Sequence, residues 1–359
     1  MLIPATTARR RLLAMLTVPV VGILLTACGG GSGATPEAAA SGGSTAALDP
    51  NVTLVLYNAQ HDTLTKEWVA AFTAKTGVKV EIRQGSDLTM ANQLVAEGSA
   101  SPADVFLTEN SPAMSLVENA GLFAPIAPAT LAQVPAEYVP STRNWIGIAA
   151  RSTVLAYNPT MVTESDLPKS IMDLQDPKWK NRYGAAPKGA DFQAIVSAML
   201  ELKGEAATSA WLTALKNNGQ AFSGNSAAMK AVNAGTVASA VIYHYYWYAD
   251  QAKTKENSKN VKLHFFGNQD PGAFVSVSGG GVLKSSKHPN EAQALVNFIT
   301  GKEGQTILAN GTAFEYSVGQ GVASNPALKP LSELGAPAVD ESKLNSQKVT
   351  QLMTTAGLL

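Results

Sequence analysis

The stretch VTLVLYNAQHDTLTKEWVAAFTAKTGVKVEIRQ, residues 52–84, decides the fold class. Its opening run, 52–58, is rich in β-branched, aliphatic and aromatic residues and predicts a strand. A helical pattern with Trp68 and Phe72 follows and ends at Gly77, after which residues 78–84 alternate as a strand does. A strand, a helix and a second strand in this order predict a parallel pair joined by a helical crossover.

The alternation of strand and helix continues beyond residue 84. The segment LTMANQLVAEG reads as a helix that ends at Gly98, and ADVFLT, residues 103–108, reads as an apolar strand. Ser111 and Pro112 have the residue types of an N-cap and a first helical position, and Gly121 is placed to end that helix. The first half of the chain therefore predicts a largely parallel sheet covered by helices.

A second α/β stretch runs from about 150 to 265 and opens with STVLAYN, residues 152–158. Two such stretches predict two α/β lobes, and sheets of this kind bind ligands beyond the carboxyl ends of their strands. The glycine triplet 279–281 stands between the apolar runs VSVS and VLKSS. In that setting, a bulge or a close crossing of strands is a better interpretation of the triplet than a phosphate-binding loop.

The composition excludes several classes of protein. The chain has 359 residues, of which 45% are hydrophobic and 15% charged, so it can bury a large core and is not globally disordered. Lys plus Arg number 27 and Asp plus Glu number 27, which gives no formal net charge. A protein that binds nucleic acid normally shows a basic excess, so no nucleic-acid partner is expected.

Signatures of catalysis are missing from the sequence. The single cysteine, Cys28, excludes an intrachain disulfide and a cysteine-based zinc or iron–sulfur site. No Walker loop, HExxH motif or GxSxG elbow is present. A binding protein is therefore favoured over an enzyme.

The N-terminus has the pattern of an export signal. Arg9–Arg11 precede an apolar run of about 14 residues, Leu12–Leu25, which is too short to span a membrane. The sequence LTAC that ends at Cys28 resembles the lipobox of bacterial lipoproteins, so residues 1–27 are predicted to be removed and Cys28 to carry the lipid. The Gly-, Ser- and Ala-rich residues 28–50 predict a flexible tether. The mature protein is expected in the periplasm or on the outer face of the plasma membrane.

The run Tyr243–Tyr248, YHYYWY, concentrates four tyrosines, a histidine and a tryptophan in six residues. Such a run could simply pack rings into the core. Two consecutive tyrosines can converge on one ligand only at a strand end, a bend or a helix start. Because a phenol has a pKa near ~10, it ligates as a phenolate only beside a strongly acidic cation, and hard iron(III) suits this oxygen best.

With these residues in view, the sequence resembles the periplasmic ferric-ion-binding proteins, the substrate-binding components of iron(III) ABC importers. The resemblance extends over about residues 52–325. The stretches that carry it are YNAQH (57–61), PADVFLTE (102–109), YYWY (245–248), DPGA (270–273) and GKEG (301–304).

The resemblance implies a fold, a cargo and its ligands. The fold is an α/β two-lobe periplasmic binding protein (type II) with a hinge of crossing strands. The cargo is Fe(III), and the implied metal ligands are His61, Glu109, Tyr245 and Tyr246. The implied partner is an inner-membrane ABC permease, and a monomer is expected.

The family often completes the iron shell with phosphate or carbonate held at a helix N-terminus. The matching positions are Lys188, Gly189, Ala190 and Asn225, and backbone N–H groups there favour an anion. Lys188 replaces the serine expected in this loop, and Tyr243 stands where some relatives carry asparagine. An anion-free site, with Tyr243 or water completing the shell, is therefore also open.

The resemblance also implies domain boundaries. Residues 51–145 and 270–315 are assigned to lobe 1, and residues 146–269 and 316–359 to lobe 2, with crossing strands near 140–150 and 265–275.

Three further histidines, His244, His264 and His288, are expected to be structural or surface residues. Two alternatives remain at this point: the same fold with a small organic cation or anion as cargo (a polyamine or a thiamine-like molecule), and an exported metal-dependent hydrolase.

Overall fold

A computed structural model describes residues 47–359 of the chain. The predicted signal peptide, Cys28 and the tether up to residue 46 lie outside the described residues. The last tether residues are described, and Leu48 packs against the core while the backbone N–H of Asp49 donates to Glu291 Oε1 at 3.2 Å. The folded body therefore begins slightly before the predicted boundary at residue 50.

Nine strands and ten helices are described, besides short 3-10 turns. The strands are β1 Thr53–Asn58, β2 Lys79–Gln84, β3 Val105–Leu107, β4 Ile146–Tyr157, β5 Tyr183–Ala185, β6 Gln220–Ala221, β7 Ser239–Tyr243, β8 Lys262–His264 and β9 Val275–Val282. The helices are α1 Asp62–Thr76, α2 Asp87–Glu97, α3 Ser111–Asn119, α4 Pro128–Leu131, α5 Ala190–Asn218, α6 Asn225–Asn233, α7 Tyr245–Ala252, α8 Pro289–Thr300, α9 Lys302–Asn310 and α10 Ser346–Thr355.

The local signals set the ends of the first helices. Gly77 follows α1 with φ +80°, and Gly98 follows α2 with φ +55°, conformations that glycine adopts without a side-chain penalty. The third helix begins one residue earlier than the capping pattern predicts, because Asn110 has the extended backbone of the N-cap and Ser111 is already helical.

The strands form a mixed sheet in the order β2-β1-β3-β9-β4-β7-β5-β6, with β8 beside β4. The pairs β1–β2, β1–β3, β5–β6 and β5–β7 are parallel. The pairs that involve β4 or β9 are antiparallel. The prediction of a largely parallel sheet is therefore right for the two ends of the strand order and wrong for its middle.

Strand β4 connects the two parts of this sheet. Its first half, to Ser152, pairs with β9, and from Thr153 onward it pairs with β7. It is buried along its whole length, as a strand covered on both faces must be, and it starts at Ile146, six residues before the predicted strand 152–158. The fold class predicted from the sequence, two lobes with long strands crossing between them, has this topology.

The glycine triplet lies within β9, where side chains from other segments pack directly against the strand. A Cβ atom at Gly279 would lie 2.3 Å from Met114 Cγ, and one at Gly281 would lie 2.5 Å from Phe123 Cε1. The pairing of β4 with β9 shifts its register opposite the triplet, between Gly147 and Ala149 of β4. The triplet is therefore a packing feature of the sheet.

Helices pack on both parts of the sheet, and each part has its own apolar core. One core gathers Leu56, Trp68 and Phe72 with α8 and α9, and another gathers Phe192 and Trp211 with α10. Between residues 47 and 359, no helix combines the length and the apolar character that crossing a bilayer requires.

Candidate metal centre

The aromatic run changes from strand to helix in its middle. Tyr243 ends β7, His244 has helical dihedral angles of φ −58° and ψ −38°, and Tyr245 opens α7. The backbone therefore turns from strand to helix at His244. A helix start is one of the places where two consecutive tyrosines can converge on one ligand, and here the rings of Tyr245 and Tyr246 stack with centroids 4.3 Å apart.

Both tyrosine hydroxyls point at one carboxylate oxygen. Tyr245 and Tyr246 each donate to Asp191 Oδ2 at 3.0 Å. Burial, followed by the charge of Asp191, raises the pKa of both phenols above the ordinary value. The phenols therefore hold their protons until a strongly acidic cation displaces them.

Asp191 itself is buried and held by four donors. It is 5% exposed and lies in the first turn of α5, where the helix dipole stabilises a negative charge. Besides the two hydroxyls, it accepts from Asn225 Nδ2 at 2.8 Å and from Asn110 Nδ2 at 2.9 Å. Its carboxylate thus occupies the helix N-terminus at which the sequence predicts an exogenous anion.

His61 and Glu109 approach the same point from β1 and β3. His61 immediately precedes α1, and its Nδ1 lies 3.1 Å from Glu109 Oε1. The His61 ring packs edge-on against Tyr245 with centroids 5.0 Å apart. The four predicted metal ligands are therefore brought together, although they come from distant parts of the chain.

Burial works against a charged His61, but its acidic neighbours outweigh that effect. The ion pair with Glu315 and the nearby charge of Glu109 raise the pKa of His61 to about 9. Burial raises the pKa of Glu109, while the charge of His61 opposes this shift. At neutral pH the metal-free site therefore stores protons on the groups that a cation would bind.

Asn110 links Glu109 and Asp191 to a second buried carboxylate. Its Nδ2 donates to Asp87 Oδ2 at 3.0 Å as well as to Asp191, and Asp87 Oδ1 accepts the backbone N–H of Glu109 at 2.9 Å. Asn110 Oδ1 accepts from Tyr243 at 3.4 Å. These bonds fix the backbone that carries Glu109 and tie it to the start of α5.

The four residues predicted to bind an anion are not equivalent in the structure. Gly189 is the N-cap of α5 and Ala190 its first residue, so both lie at the helix end that Asp191 occupies. Asn225 donates to Asp191, as described above. The Lys188 side chain is exposed, and its carbonyl accepts from Gln193. Tyr243, the other predicted means of completing the shell, is fully buried.

The remaining histidines have structural surroundings. His244 is fully buried, accepts the backbone N–H of Ser152 at 3.1 Å and stacks on Tyr316. His264 Nε2 lies 2.9 Å from the Pro168 carbonyl, and His288 precedes α8.

A cavity of about 210 Å3 opens onto the candidate ligands His61, Tyr245 and Tyr246. A larger groove of about 600 Å3 lies away from them, between the segments 136–141 and 336–341. No cluster of three or more His, Cys, Asp or Glu side chains within residues 47–359 is arranged to hold a metal. That finding covers only these four residue types, whereas the candidate centre also includes Tyr245 and Tyr246.

Three residues of the site are not predicted from the sequence: Asp191, Arg151 and Glu315. The sequence does contain a signal for Asp191, because an acidic residue in the first turn of a helix competes with a bound anion for the same N–H groups. Arg151 leaves one too, since it stands inside the apolar strand IGIAARSTVLAY, residues 146–157, where a charge needs a buried partner. That partner is Glu315, whose Oε1 lies 2.7 Å from Arg151 Nη2.

Comparison with known proteins gives consistent matches. Residues 100–340 match the model of a family described as bacterial extracellular solute-binding protein. The chain is 64% identical over 306 residues to the Fe(3+)-binding periplasmic protein of Serratia marcescens, covering 85% of this chain and 90% of that one. It is 37% identical over 317 residues to the major ferric iron-binding protein of Neisseria meningitidis, covering 88% and 96%.

This chain is also similar to a solved structure of an iron-bound protein. The crystal structure of iron-bound HitA from Pseudomonas aeruginosa superposes with a TM-score of 0.79 at 46% identity, over 86% of this chain and all of that one. The match therefore extends over both parts of the sheet.

Proposed function

Because this chain belongs to the bacterial extracellular solute-binding proteins, within their ferric-ion-binding group, we propose that it captures iron(III) in the cleft between its lobes and passes it to an ABC permease. The observation that carries the proposal is the convergence of Tyr245 and Tyr246 on one carboxylate oxygen, with His61 and Glu109 beside them. The proposed ligands are His61, Glu109, Asp191, Tyr245 and Tyr246.

The spacing of the three oxygens suits a metal with six ligands. An octahedral ion with metal–oxygen bonds of about 2.0–2.1 Å places neighbouring oxygens about 2.9 Å apart. Both phenol oxygens lie 3.0 Å from Asp191 Oδ2. A metal that displaces the two phenolic protons can therefore bind Asp191 Oδ2 next to each phenolate oxygen, with little movement of the side chains.

We propose that Asp191 takes the place of an exogenous phosphate or carbonate. It lies in the first turn of α5 and accepts from Asn225, one of the residues predicted to bind the anion. It also supplies the negative charge that the anion would bring. With five protein ligands, one position is left for water, and the adjoining cavity of about 210 Å3 has room for it.

The proposed lobes keep the predicted boundaries. Lobe 1, residues 51–145 and 270–315, carries His61 and Glu109, and lobe 2, residues 146–269 and 316–359, carries Asp191 and the tyrosines. Because the metal draws ligands from both lobes, closure of the cleft and binding are one event. We propose that a monomer held to the membrane by lipidated Cys28 presents this closed form to the permease.

The test is optical. Iron(III) is added as a weak chelate to the metal-free protein, and the visible spectrum is recorded. We expect a phenolate-to-iron charge-transfer band that saturates at one equivalent. Tyr245→Phe and Tyr246→Phe are expected to weaken or abolish the band, whereas Tyr248→Phe, on the same helix but packed on Phe314, keeps it. A wild-type protein without the band would overturn the iron site and favour an organic cation or anion as the ligand of the same cleft.

A further inference from the structure

Glu315 is a fully buried carboxylate directly behind the proposed metal ligands. Its side chain is 0% exposed, and so is that of Arg151, whose Nη2 lies 2.7 Å from Glu315 Oε1. Gln60 Nε2 and Ser278 Oγ each donate to Glu315 Oε2 at 3.3 Å. Groups from β4, β9 and the residue before His61 thus hold both oxygens of this carboxylate in place.

The same carboxylate also contacts His61. Glu315 Oε1 lies 2.9 Å from His61 Nε2, while the other ring nitrogen, Nδ1, lies 3.1 Å from Glu109. Glu109 keeps 22% of its side chain exposed and lies on the side of the cleft. The two nitrogens of His61 therefore face different environments, one in the interior and one at the proposed metal site.

We propose that Glu315 is a positioning residue that holds His61 through Nε2, so that His61 binds the cargo metal through Nδ1. The inference rests on the proposed function and deepens it by assigning the ligand atom. A metal-binding histidine commonly donates its other N–H to a carboxylate, which fixes the orientation of the ring and increases its basicity.

Glu315 is not free to become a metal ligand itself. Moving it into the cleft would leave Arg151 as an unpaired charge in the interior, which is strongly unfavourable. The pairs with Arg151 and His61 also overcome the effect of burial and lower the pKa of Glu315 to about 2, so it remains a carboxylate. Glu109, in contrast, can turn toward a metal without uncovering a buried charge.

The decisive experiment is nuclear magnetic resonance with gallium(III) as a diamagnetic substitute for iron(III). The protein is labelled with 15N in its four histidines, and long-range 1H–15N spectra are recorded with and without gallium. A His61→Gln variant assigns the His61 signals in the metal-free state. We expect the metal-loaded protein to keep a proton on Nε2 and to lose the one on Nδ1. Gallium bound through Nε2 would overturn the proposal.

Gallium binding is measured separately, through the ultraviolet difference absorption of the tyrosinates. A protein that binds no gallium and no iron would overturn the proposed function itself. Binding with the wrong ring nitrogen overturns only the role of Glu315, so the two failures are distinguishable.

A variant gives a second measurement. Glu315→Gln keeps an oxygen for Nε2–H but removes the charge, and we expect iron affinity to fall about 10- to 100-fold with the charge-transfer band retained. Glu291→Gln, a matched change at another buried glutamate, which accepts the backbone N–H of Asp49 far from the site, is expected to leave the affinity unchanged. Equal affinity in wild type and Glu315→Gln would contradict the positioning role. If Glu315→Gln does not fold, the spectra of the wild type still decide.

Discussion

At the scale of single residues, the site depends on carboxylates and phenols that share protons. Asp191 accepts from Tyr245, Tyr246, Asn225 and Asn110 at 2.8–3.0 Å, so it is saturated with donors before any metal arrives. Removing the phenolic protons turns two of these donors into anions, and only a cation between the oxygens can then hold them together. The same atoms thus form a hydrogen-bonded cluster and the proposed metal site.

We expect Asp191→Ala to make iron binding depend on an added anion. The alanine removes the built-in carboxylate and leaves the amides of Asn110 and Asn225 and the two tyrosine hydroxyls free to donate to bicarbonate or phosphate. In anion-free buffer, titration followed by the charge-transfer band is expected to show affinity lowered at least about 10-fold, with partial recovery when bicarbonate is added. Asp250→Asn, on α7 but bonded to Ser258, is the control and keeps full affinity. An anion requirement in the wild type would contradict the role of Asp191.

Iron affinity is expected to fall steeply with acid. The pKa of His61 is raised to about 9 and those of Tyr245 and Tyr246 are raised further, so all three hold protons in the metal-free protein below that pH. Burial also raises the pKa of Glu109 to about 8, so metal binding must release about three to four protons, and the affinity should fall about 1000- to 10 000-fold for each unit of pH lowered. Competition with a chelator of known protonation, at several pH values between 6 and 8, measures the slope. A slope near zero would exclude protonated ligands in the metal-free state.

At the scale of secondary-structure elements, β4 and β9 decide where the ligands meet. Strand β4 exchanges its partner β9 for β7 between Ser152 and Thr153, and this brings Tyr243 and the start of α7 next to Arg151. The close approach of the two strands depends on residues without side chains. A Cβ at Gly147 would lie 2.6 Å from the Tyr138 carbonyl oxygen and 2.8 Å from Val277 Cγ1.

Gly147→Ala is therefore expected to lower the free energy of unfolding by about 1–3 kcal/mol, because the carbonyl of Tyr138 is backbone and cannot easily move away. Urea unfolding of the metal-free protein, followed by circular dichroism, measures the change. Gly224→Ala, where a Cβ would meet no atom within 4 Å, should stay within about 0.5 kcal/mol of wild type. Equal stability of the two variants would show that the crossing tolerates a side chain.

At the scale of the whole molecule, the two proposed lobes contact each other beside the proposed ligands. Asn110 reaches Asp191, and Ser111 bonds Glu341 of the C-terminal segment, so groups near the end of β3 contact both α5 and the chain beyond residue 340. Residues 47–359 lie within one compact unit. A permease that recognises this shape could distinguish a protein held closed by metal from an open one.

Small-angle X-ray scattering tests this closure. A compact chain of this length has a radius of gyration of about 20 Å, which we expect for the iron-loaded protein. The metal-free protein is expected to have a larger value as the lobes separate, and iron should not reduce that value in the Tyr245→Phe, Tyr246→Phe double variant. Identical scattering of the metal-free and iron-loaded wild type would contradict closure as the binding event.

The sequence by itself determines the local elements and the chemistry of the ligands. Hydrophobic period and glycine positions predict β1, α1, β2 and α2 to within a few residues, because these signals act over one or two turns of chain. The tyrosine pair, with His61 and Glu109 placed by family resemblance, is enough to suggest iron(III), since phenolate chemistry belongs to the residue type.

Only the tertiary structure decides the antiparallel middle of the sheet and the contacts of Asp191 and His61. Asp191 and Tyr245 are separated by 54 residues, and Gln60 and Glu315 by 255. No local propensity reports such contacts. Burial of Arg151 creates the need for a partner, but which carboxylate meets it, and which nitrogen of His61 that carboxylate holds, depends on how distant strands cross.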